Sequence, residues 1–236
     1  MIFKKKPKIK PHITAIIVAA GSGARMGADI PKQFIEVGGR PILAYTLDKF
    51  QSSDRIDEIV IVTRSDSILL CKSIVDMYGF TKVSVITEGG ATRQQSVKSG
   101  LSQMSQDAGY VLVHDGARPM INPDTIEKCV DAVIEHKASA VGVPMKDTVK
   151  YSDNGKFITK TVDRSRLWLI QTPQAFEKKL ISDCHDKALS EGFEATDDCM
   201  LAEHFDISVA LVEGEYENIK VTSPSDIFIM EGLLGL

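Results

Sequence analysis

Apolar, β-branched runs recur along the chain at residues 13–19, 58–63, 82–87, 110–114 and 138–144, separated by stretches with helical periodicity. The run at 13–19 is continuously apolar, the pattern of a strand covered on both faces. The stretches 41–51, 66–78, 92–102 and 123–136 alternate apolar and polar positions at helical spacing. Their starts carry the expected signals, with Pro41 and Pro123 at first-turn positions and Asp66 as N-cap. Strands alternating with helices in this way predict an α/β fold, a Rossmann-like, mostly parallel sheet with helices on both faces. Ligands of such sheets sit at the carboxyl ends of the strands, so the loops that follow the strands are the ones to read for chemistry.

The rhythm changes after Pro144. Residues 146–151 and 157–162 flank Ser152-Asp153-Asn154-Gly155, and Asn-Gly between alternating runs is a strong hairpin signal. A hairpin with little core of its own is marginal in isolation. Residues 146–164 are therefore predicted to form a protruding β-hairpin arm that pairs with another subunit rather than a lid. Helices follow at 177–191 and 197–204, then a strand at 207–212, a short strand at 219–222, and a last helix opened by Ser223-Pro224-Ser225-Asp226. With 236 residues, 43% of them hydrophobic, the chain 1–236 can fold around the core of a single domain.

Composition narrows the function. A net charge of −4 excludes a broadly basic nucleic-acid-binding surface while leaving room for a local cationic pocket. Cys71, Cys129, Cys184 and Cys199 show no CxxC pair, a reduced, cytoplasmic complement rather than a disulfide frame or zinc site. The lysines at positions 4, 5, 6, 8 and 10 precede no signal-peptide core and read as a solvated tail. No run reaches the roughly 18 apolar residues of a membrane-spanning helix. The five histidines show no metal spacing, no Ser/His/Asp arrangement is legible, and Trp168 reads as packing.

Three loops carry candidate chemistry. Ala19-Ala20-Gly21-Ser22-Gly23-Ala24-Arg25 leads from the first strand towards Pro31-Lys32-Gln33. Glycines there admit backbone N–H groups close to an anion, and Arg25 and Lys32 add charge, so phosphate binding outweighs a plain glycine turn. The loop lacks the Gly-Lys-Ser/Thr of a P-loop. Its third glycine falls one place late for a dinucleotide fingerprint, and the second strand ends about forty residues on, where an acidic ribose ligand is expected at about twenty. Gly89-Gly90-Ala91-Thr92-Arg93-Gln94-Gln95-Ser96 suits a small polar ring, such as a pyrimidine, or equally a tight turn before a capped helix. Asp115 in His114-Asp115-Gly116-Ala117-Arg118 is a nucleotide or Mg²⁺ contact, or forms a structural ion pair with Arg118. Weaker clusters are Lys146-Asp147-Thr148 and Val162-Asp163-Arg164 beside the hairpin. Thr172-Pro173-Gln174 and Thr196-Asp197-Asp198 are read as turns, and Asn218 to Thr222 as part of a late strand.

Taken in order, these segments resemble the 2-C-methyl-D-erythritol 4-phosphate cytidylyltransferase family from Ile13 onward. The resemblance rests on Ala-Ala-Gly-x-Gly-x-Arg-Met at 19–26, Pro31-Lys32-Gln33, Gly-Gly-x-x-Arg-x-x-Ser at 89–96 and His-Asp-x-Ala-Arg-Pro at 114–119. It continues through Asp147-Thr148, Val162-Asp163-Arg164, Leu167-Trp168, Thr172-Pro173-Gln174, Thr196-Asp197 and Asn218-Ile219-Lys220-Val221-Thr222. It implies transfer of CMP from CTP to methylerythritol phosphate with release of pyrophosphate. Arg25 and Lys32 would stabilise charge at the α-phosphorus, while Ala19, Ala20, Gly21, Ser22 and Gly23 cradle the triphosphate. Mg²⁺ would be held mainly by the phosphates, with Asp115 a possible ligand. Gly90, Arg93 and Ser96 would read cytosine, and Asp115 and Gly116 would hold the ribose side, with Arg118 beside them. Thr148 and Arg164 would reach over from the neighbouring subunit of a homodimer, and Lys220, Thr172 and Thr196 would complete the alcohol phosphate pocket. Ala24 departs from the family, standing where many members carry a second basic residue.

Three rivals differ in legible ways. Ribitol 5-phosphate cytidylyltransferases resemble this pattern but tend to show Ala-Gly-Gly in the first loop and lack the Val-Asp-Arg…Leu-Trp stretch found here at 162–168. A non-catalytic nucleotide-binding module would be expected to lose Arg25 or Lys32. An NADP-dependent oxidoreductase, prompted by the glycines and Arg64, has the wrong glycine spacing.

Overall fold

The computed structural model describes residues 10–21 and 31–236. The lysine tail up to residue 9 and the stretch holding Ser22, Gly23 and Arg25 lie outside them; Lys10 lies within, its Nζ 3.2 Å from Asp57 Oδ1. The apolar run predicted at the start is β1 (His12–Ala19), buried over most of its length. After a 3-10 turn (Lys32–Phe34) and the small ribbon β2 (Glu36–Val37) and β3 (Arg40–Pro41) come α1 (Ile42–Gln51) and β4 (Glu58–Thr63). α2 (Ile68–Tyr78), β5 (Val83–Glu88), α3 (Arg93–Gln103), β6 (Ala108–Asp115), α4 (Pro123–His136) and β7 (Ala138–Pro144) follow. Thr92 caps α3 by accepting from Gln95 N, Asn122 caps α4 by accepting from Asp124 N, and Pro123 sits in the first turn. Asp66 does not cap α2; it lies in a preceding 3-10 turn (Ser65–Ser67), where its carboxylate pairs with Arg64 instead.

The remaining elements are β8 (Lys150–Tyr151), β9 (Lys160–Thr161), β10 (Trp168–Glu177), α5 (Lys178–Glu191), α6 (Asp198–His204), β11 (Ala210–Glu213) and α7 (Pro224–Leu234). The main sheet runs β11-β7-β10-β6-β1-β4-β5. Every neighbouring pair is parallel except those of β10, which lies antiparallel between β6 and β7. Strand alternation separates two apolar layers. Ala15, Ile17, Ile59, Ile61 and Leu112 face α1, α2 and α4. Ile16, Val60, Val62, Val111 and Val113 face α3, α5 and α6. Residues one apart thus point into opposite layers, as a two-period strand buried on both faces requires.

Two expectations change. Residues 168–177, read partly as a turn, form the ten-residue strand β10, and a cis peptide bond joins Thr172 to Pro173. Residues 219–222 are not a strand. That segment is held instead by Val221 N donating to Ala117 O at 2.8 Å and by Arg118 Nη1 donating to Asn218 O at 2.7 Å. The hairpin exists, but its ladder is only β8 against β9, and Phe157 and Ile158 beside it are exposed. Among the described residues no helix is long and apolar enough to cross a membrane.

Helix α3 meets the sheet at Gly100, where an added Cβ would come within 2.8 Å of Ile16 Cγ2 and 2.9 Å of Val62 Cγ2. Gly100→Ala should overpack this layer and lower the unfolding free energy by about 1–3 kcal/mol in urea denaturation, despite alanine's better helix propensity. An unchanged midpoint would mean that α3 can back away from the sheet.

Candidate active site

The carboxyl ends of β1, β4, β5 and β6 open onto a cleft of about 610 Å³. Ala19, Ala20, Gly21, Lys32, Gly90, Arg93, Ser96, Asp115 and Lys220, each singled out from sequence, all line it. Arg64, Thr92 and Thr222 line it too, and the sequence reading gave none of them a role there. Lys32 is fixed by its neighbour: the Gln33 side chain, 2% exposed, donates to Ala19 O and so ties the 3-10 turn to the end of β1.

The Gly89–Gly90 turn is built for close approach. A Cβ at Gly89 would sit 2.8 Å from Ala20 Cβ, and one at Gly90 would sit 2.3 Å from Gln95 Cβ. Ser96, inside the first turns of α3, accepts from Gly90 N at 3.1 Å and donates to Thr92 O at 2.9 Å. Its hydroxyl therefore shapes the loop that faces the cleft.

Among the described residues Asp115 is the one acidic side chain lining the cleft, alongside Lys32, Arg64, Arg93 and Lys220. Lys220 Nζ lies 2.7 Å from Oδ2, Arg93 Nε 3.5 Å from Oδ1 and Arg118 Nε 3.7 Å from Oδ2. Burial alone would raise its pKa; the attraction of Lys220, Arg93 and Arg118 prevails and holds it well below the usual carboxylate range. The ion pair with Arg118 and a place in the cleft, posed as alternatives, are both present.

A hydrogen-bond chain fixes the floor. Asp115 N donates to Thr172 Oγ1 at 3.1 Å. Arg118 O can only accept, so His114 Nε2, 3.1 Å away, carries the proton. His114 Nδ1 then accepts from Thr172 Oγ1 at 3.1 Å. Asn218, fully buried, donates to Gln171 Oε1 and Thr172 O at 2.9 and 3.0 Å, which locks the segment carrying Lys220 against β10. Gly116 closes the corner, its N donating to Val18 O at 2.9 Å.

The other expected residues stand apart. Thr196 is exposed just before α6, its hydroxyl beside the Met200 sulfur. Thr148 and Arg164 are exposed at the base of the arm and do not line the cleft of their own chain; Arg164 donates to Lys146 O. No group of three or more His, Cys, Asp or Glu side chains able to hold a metal occurs among the described residues.

The sequence profile of the 2-C-methyl-D-erythritol 4-phosphate cytidylyltransferase family matches residues 13–235. The chain belongs to this family. A protein of that name from Clostridium botulinum is 46% identical over 221 residues, covering 94% of this chain and 96% of that protein. Another from Clostridium acetobutylicum is 47% identical, covering 93% and 96%. The crystal structure of the 4-diphosphocytidyl-2C-methyl-D-erythritol synthase of Anaerococcus prevotii superposes with a TM-score of 0.86 at 39% identity, covering 96% of this chain and 97% of that one. That of the cytidylyltransferase of Thermus thermophilus gives 0.78 at 31% identity, covering 94% and 98%.

Burial pushes the His114 pKa down to about 4, against the smaller opposing effects of its bond to Arg118 O and of Asp115. An unfolded histidine takes up its proton near pH 6.5, so between that pH and 4 the unfolded chain binds more protons than the folded one. Stability from this group is complete above about pH 6.5 and is lost as pH falls, by on the order of 3 kcal/mol. Chemical denaturation across this window should show the decline, and His114→Gln should flatten it.

Proposed function

We propose that the cleft carries out the family's reaction, cytidylyl transfer from CTP to 2-C-methyl-D-erythritol 4-phosphate, by placing charge rather than by moving protons. The observation that carries the assignment is the convergence of Lys32, Arg64, Arg93 and Lys220 with Asp115 on one cleft at the carboxyl edge of the sheet. The attacking oxygen belongs to the substrate phosphate and is anionic at neutral pH, so it needs no general base. It attacks the α-phosphorus of CTP, the bond to the α,β-bridging oxygen breaks, and pyrophosphate leaves. Cations fixed before substrate arrives meet the charge that develops without reorganising.

Within this reading Lys32 and Arg25 face the α-phosphate, and Ala19, Ala20 and Gly21, with Ser22 and Gly23, supply backbone to the triphosphate. Gly90, Arg93 and Ser96 form the cytosine side, and Asp115 and Gly116 the ribose side. Arg118 stands beside Asp115 on the ribose side, and Lys220 faces the alcohol phosphate with Thr172 in the floor below; Thr196, assigned to the same pocket from the family pattern, lies outside the cleft lining. Mg²⁺ fits as a passenger on the nucleotide's phosphates: Asp115, the sole cleft carboxylate among the described residues, is already engaged by Lys220. Bound there, the ion would neutralise phosphate charge.

Thr148 and Arg164 reach a substrate only if the arm crosses to a neighbour, so we assign residues 146–164 as the dimerisation arm of one nucleotidyltransferase domain. Support comes from the apolar surface beside it, including Tyr151, Phe157, Ile158, Leu169 and Ile170, all exposed in the single chain. Four buried free thiols favour a reducing compartment such as the cytoplasm.

Pyrophosphate release should occur with CTP, Mg²⁺ and methylerythritol 4-phosphate and not with ribitol 5-phosphate. Release with ribitol 5-phosphate alone would overturn the substrate assignment. Lys32→Ala and Arg25→Ala should each lower turnover by about 100- to 1000-fold, or 3–4 kcal/mol, in proteins that melt normally. Arg164→Ala should impair the homodimer through its neighbour's site. A heterodimer that combines an Arg164→Ala chain with a Lys32→Ala chain should recover up to half of the activity, which neither homodimer shows.

A further inference from the structure

His185 is a core histidine that the chemistry above leaves unused. It projects from α5 among the buried side chains Ile181, Cys184 and Ala188, on a face where helical spacing asks for an aliphatic residue. Its side chain is 1% exposed, and neither ring nitrogen has a hydrogen-bond partner among the described residues. A buried polar group left so costs stability and calls for a reason. The ring faces Asp198, with Nε2 3.6 Å from Oδ1. The other carboxylate oxygen, Oδ2, accepts from Arg93 Nη1 at 2.7 Å.

Asp198 has little other freedom. Its backbone N and that of Cys199 donate to Gln174 Oε1 at 2.9 and 3.2 Å, which pins the start of α6 to β10. What remains is rotation of the carboxylate, and the imidazole packed against Oδ1 limits that rotation. Arg93 in turn stands between two acids, bonded to Asp198 and 3.5 Å from Asp115. Released from Asp198, its guanidinium would be drawn onto Asp115, where Lys220 already sits. Burial alone would raise the Asp198 pKa; Arg93, aided by His185, more than offsets it and keeps the carboxylate charged.

We propose that His185 is a positioning residue for the nucleotide side of the cleft. It sets the rotation of the Asp198 carboxylate, which holds the Arg93 guanidinium at the nucleotide and away from Asp115. The inference rests on the assignment of Arg93 to the cytosine side made above.

The test is steady-state kinetics on the full chain with each substrate varied in turn. His185→Leu should melt cooperatively and raise KM for CTP about three- to tenfold, leaving kcat and KM for methylerythritol phosphate within about twofold. His185→Gln, whose amide can donate to the same carboxylate oxygen, should recover most of the loss. Arg93→Lys should raise KM for CTP further, and adding His185→Leu to it should change little, because the positioned group is already gone. His185→Met carries the same comparison should the leucine variant fail to fold. Wild-type KM for CTP in a folded apolar variant, equal rises for both substrates, or full additivity with Arg93→Lys would overturn the proposal. An unchanged KM for CTP in Arg93→Lys would instead remove the assignment of Arg93, and the positioning role with it.

Discussion

A carboxylate taken out of water costs several kcal/mol unless the protein surrounds it with compensating charge. Asp115, 7% exposed at the end of β6, imposes that condition on the whole carboxyl edge of the sheet. Its three cations come from three different places: Arg93 opens α3, Arg118 belongs to the loop that follows β6, and Lys220 sits on the segment ahead of α7. None of them neighbours another in sequence, so the charge balance is satisfied only when the fold is complete. The close glycine turn at 89–90 and the buried Asn218 serve the same end, since each brings one of those cations into range. Removing a partner from a buried charge is far more damaging than never having built the pair. The arrangement is therefore self-consistent or absent.

The same constraint makes the cleft suited to phosphates. Lys32, Arg64, Arg93 and Lys220 converge on one cleft in a chain whose net charge is −4, so positive groups are concentrated locally where a phosphate can meet them. Because hydrogen bonds and ion pairs hold these groups before any ligand arrives, reorganisation is small. His114 shows how finely the floor is tuned. Its neutral tautomer is the one that satisfies both Thr172 and Arg118 O, and a second ring proton would set two donors against each other.

Much of this was legible in the chain and some was not, for physical reasons. Strands buried on both faces read as apolar runs, so β1, β4, β6 and β7 were visible, and Pro123 marked the first turn of α4. β10 was missed because Gln171, Thr172, Pro173 and Gln174 resemble a turn; their polar side chains are buried by partners distant in sequence, which no local pattern reveals. Residues 219–222 misled in the opposite sense, being β-branched yet held by a loop and a side chain rather than a ladder. The glycine loops, Lys32 and Asp115 stood out because glycines and charges follow the strands of an α/β sheet, whereas Lys220 was reached only through the family pattern. His185 and Asp198 escaped because their partnership links α5, α6 and α3. A histidine among aliphatics at helical spacing was the one local sign.

The antiparallel course of β10 bears on the arm. Trp168 pairs with Pro144, so the chain leaves the sheet from β7 and returns beside its point of departure. The excursion begins and ends one interstrand step apart, roughly 5 Å. The sheet therefore sets no lower or upper bound on what lies between. Insertions or deletions in the arm leave every ladder of the main sheet in register, so its length answers to the contacts the arm must reach and not to the sheet that carries it.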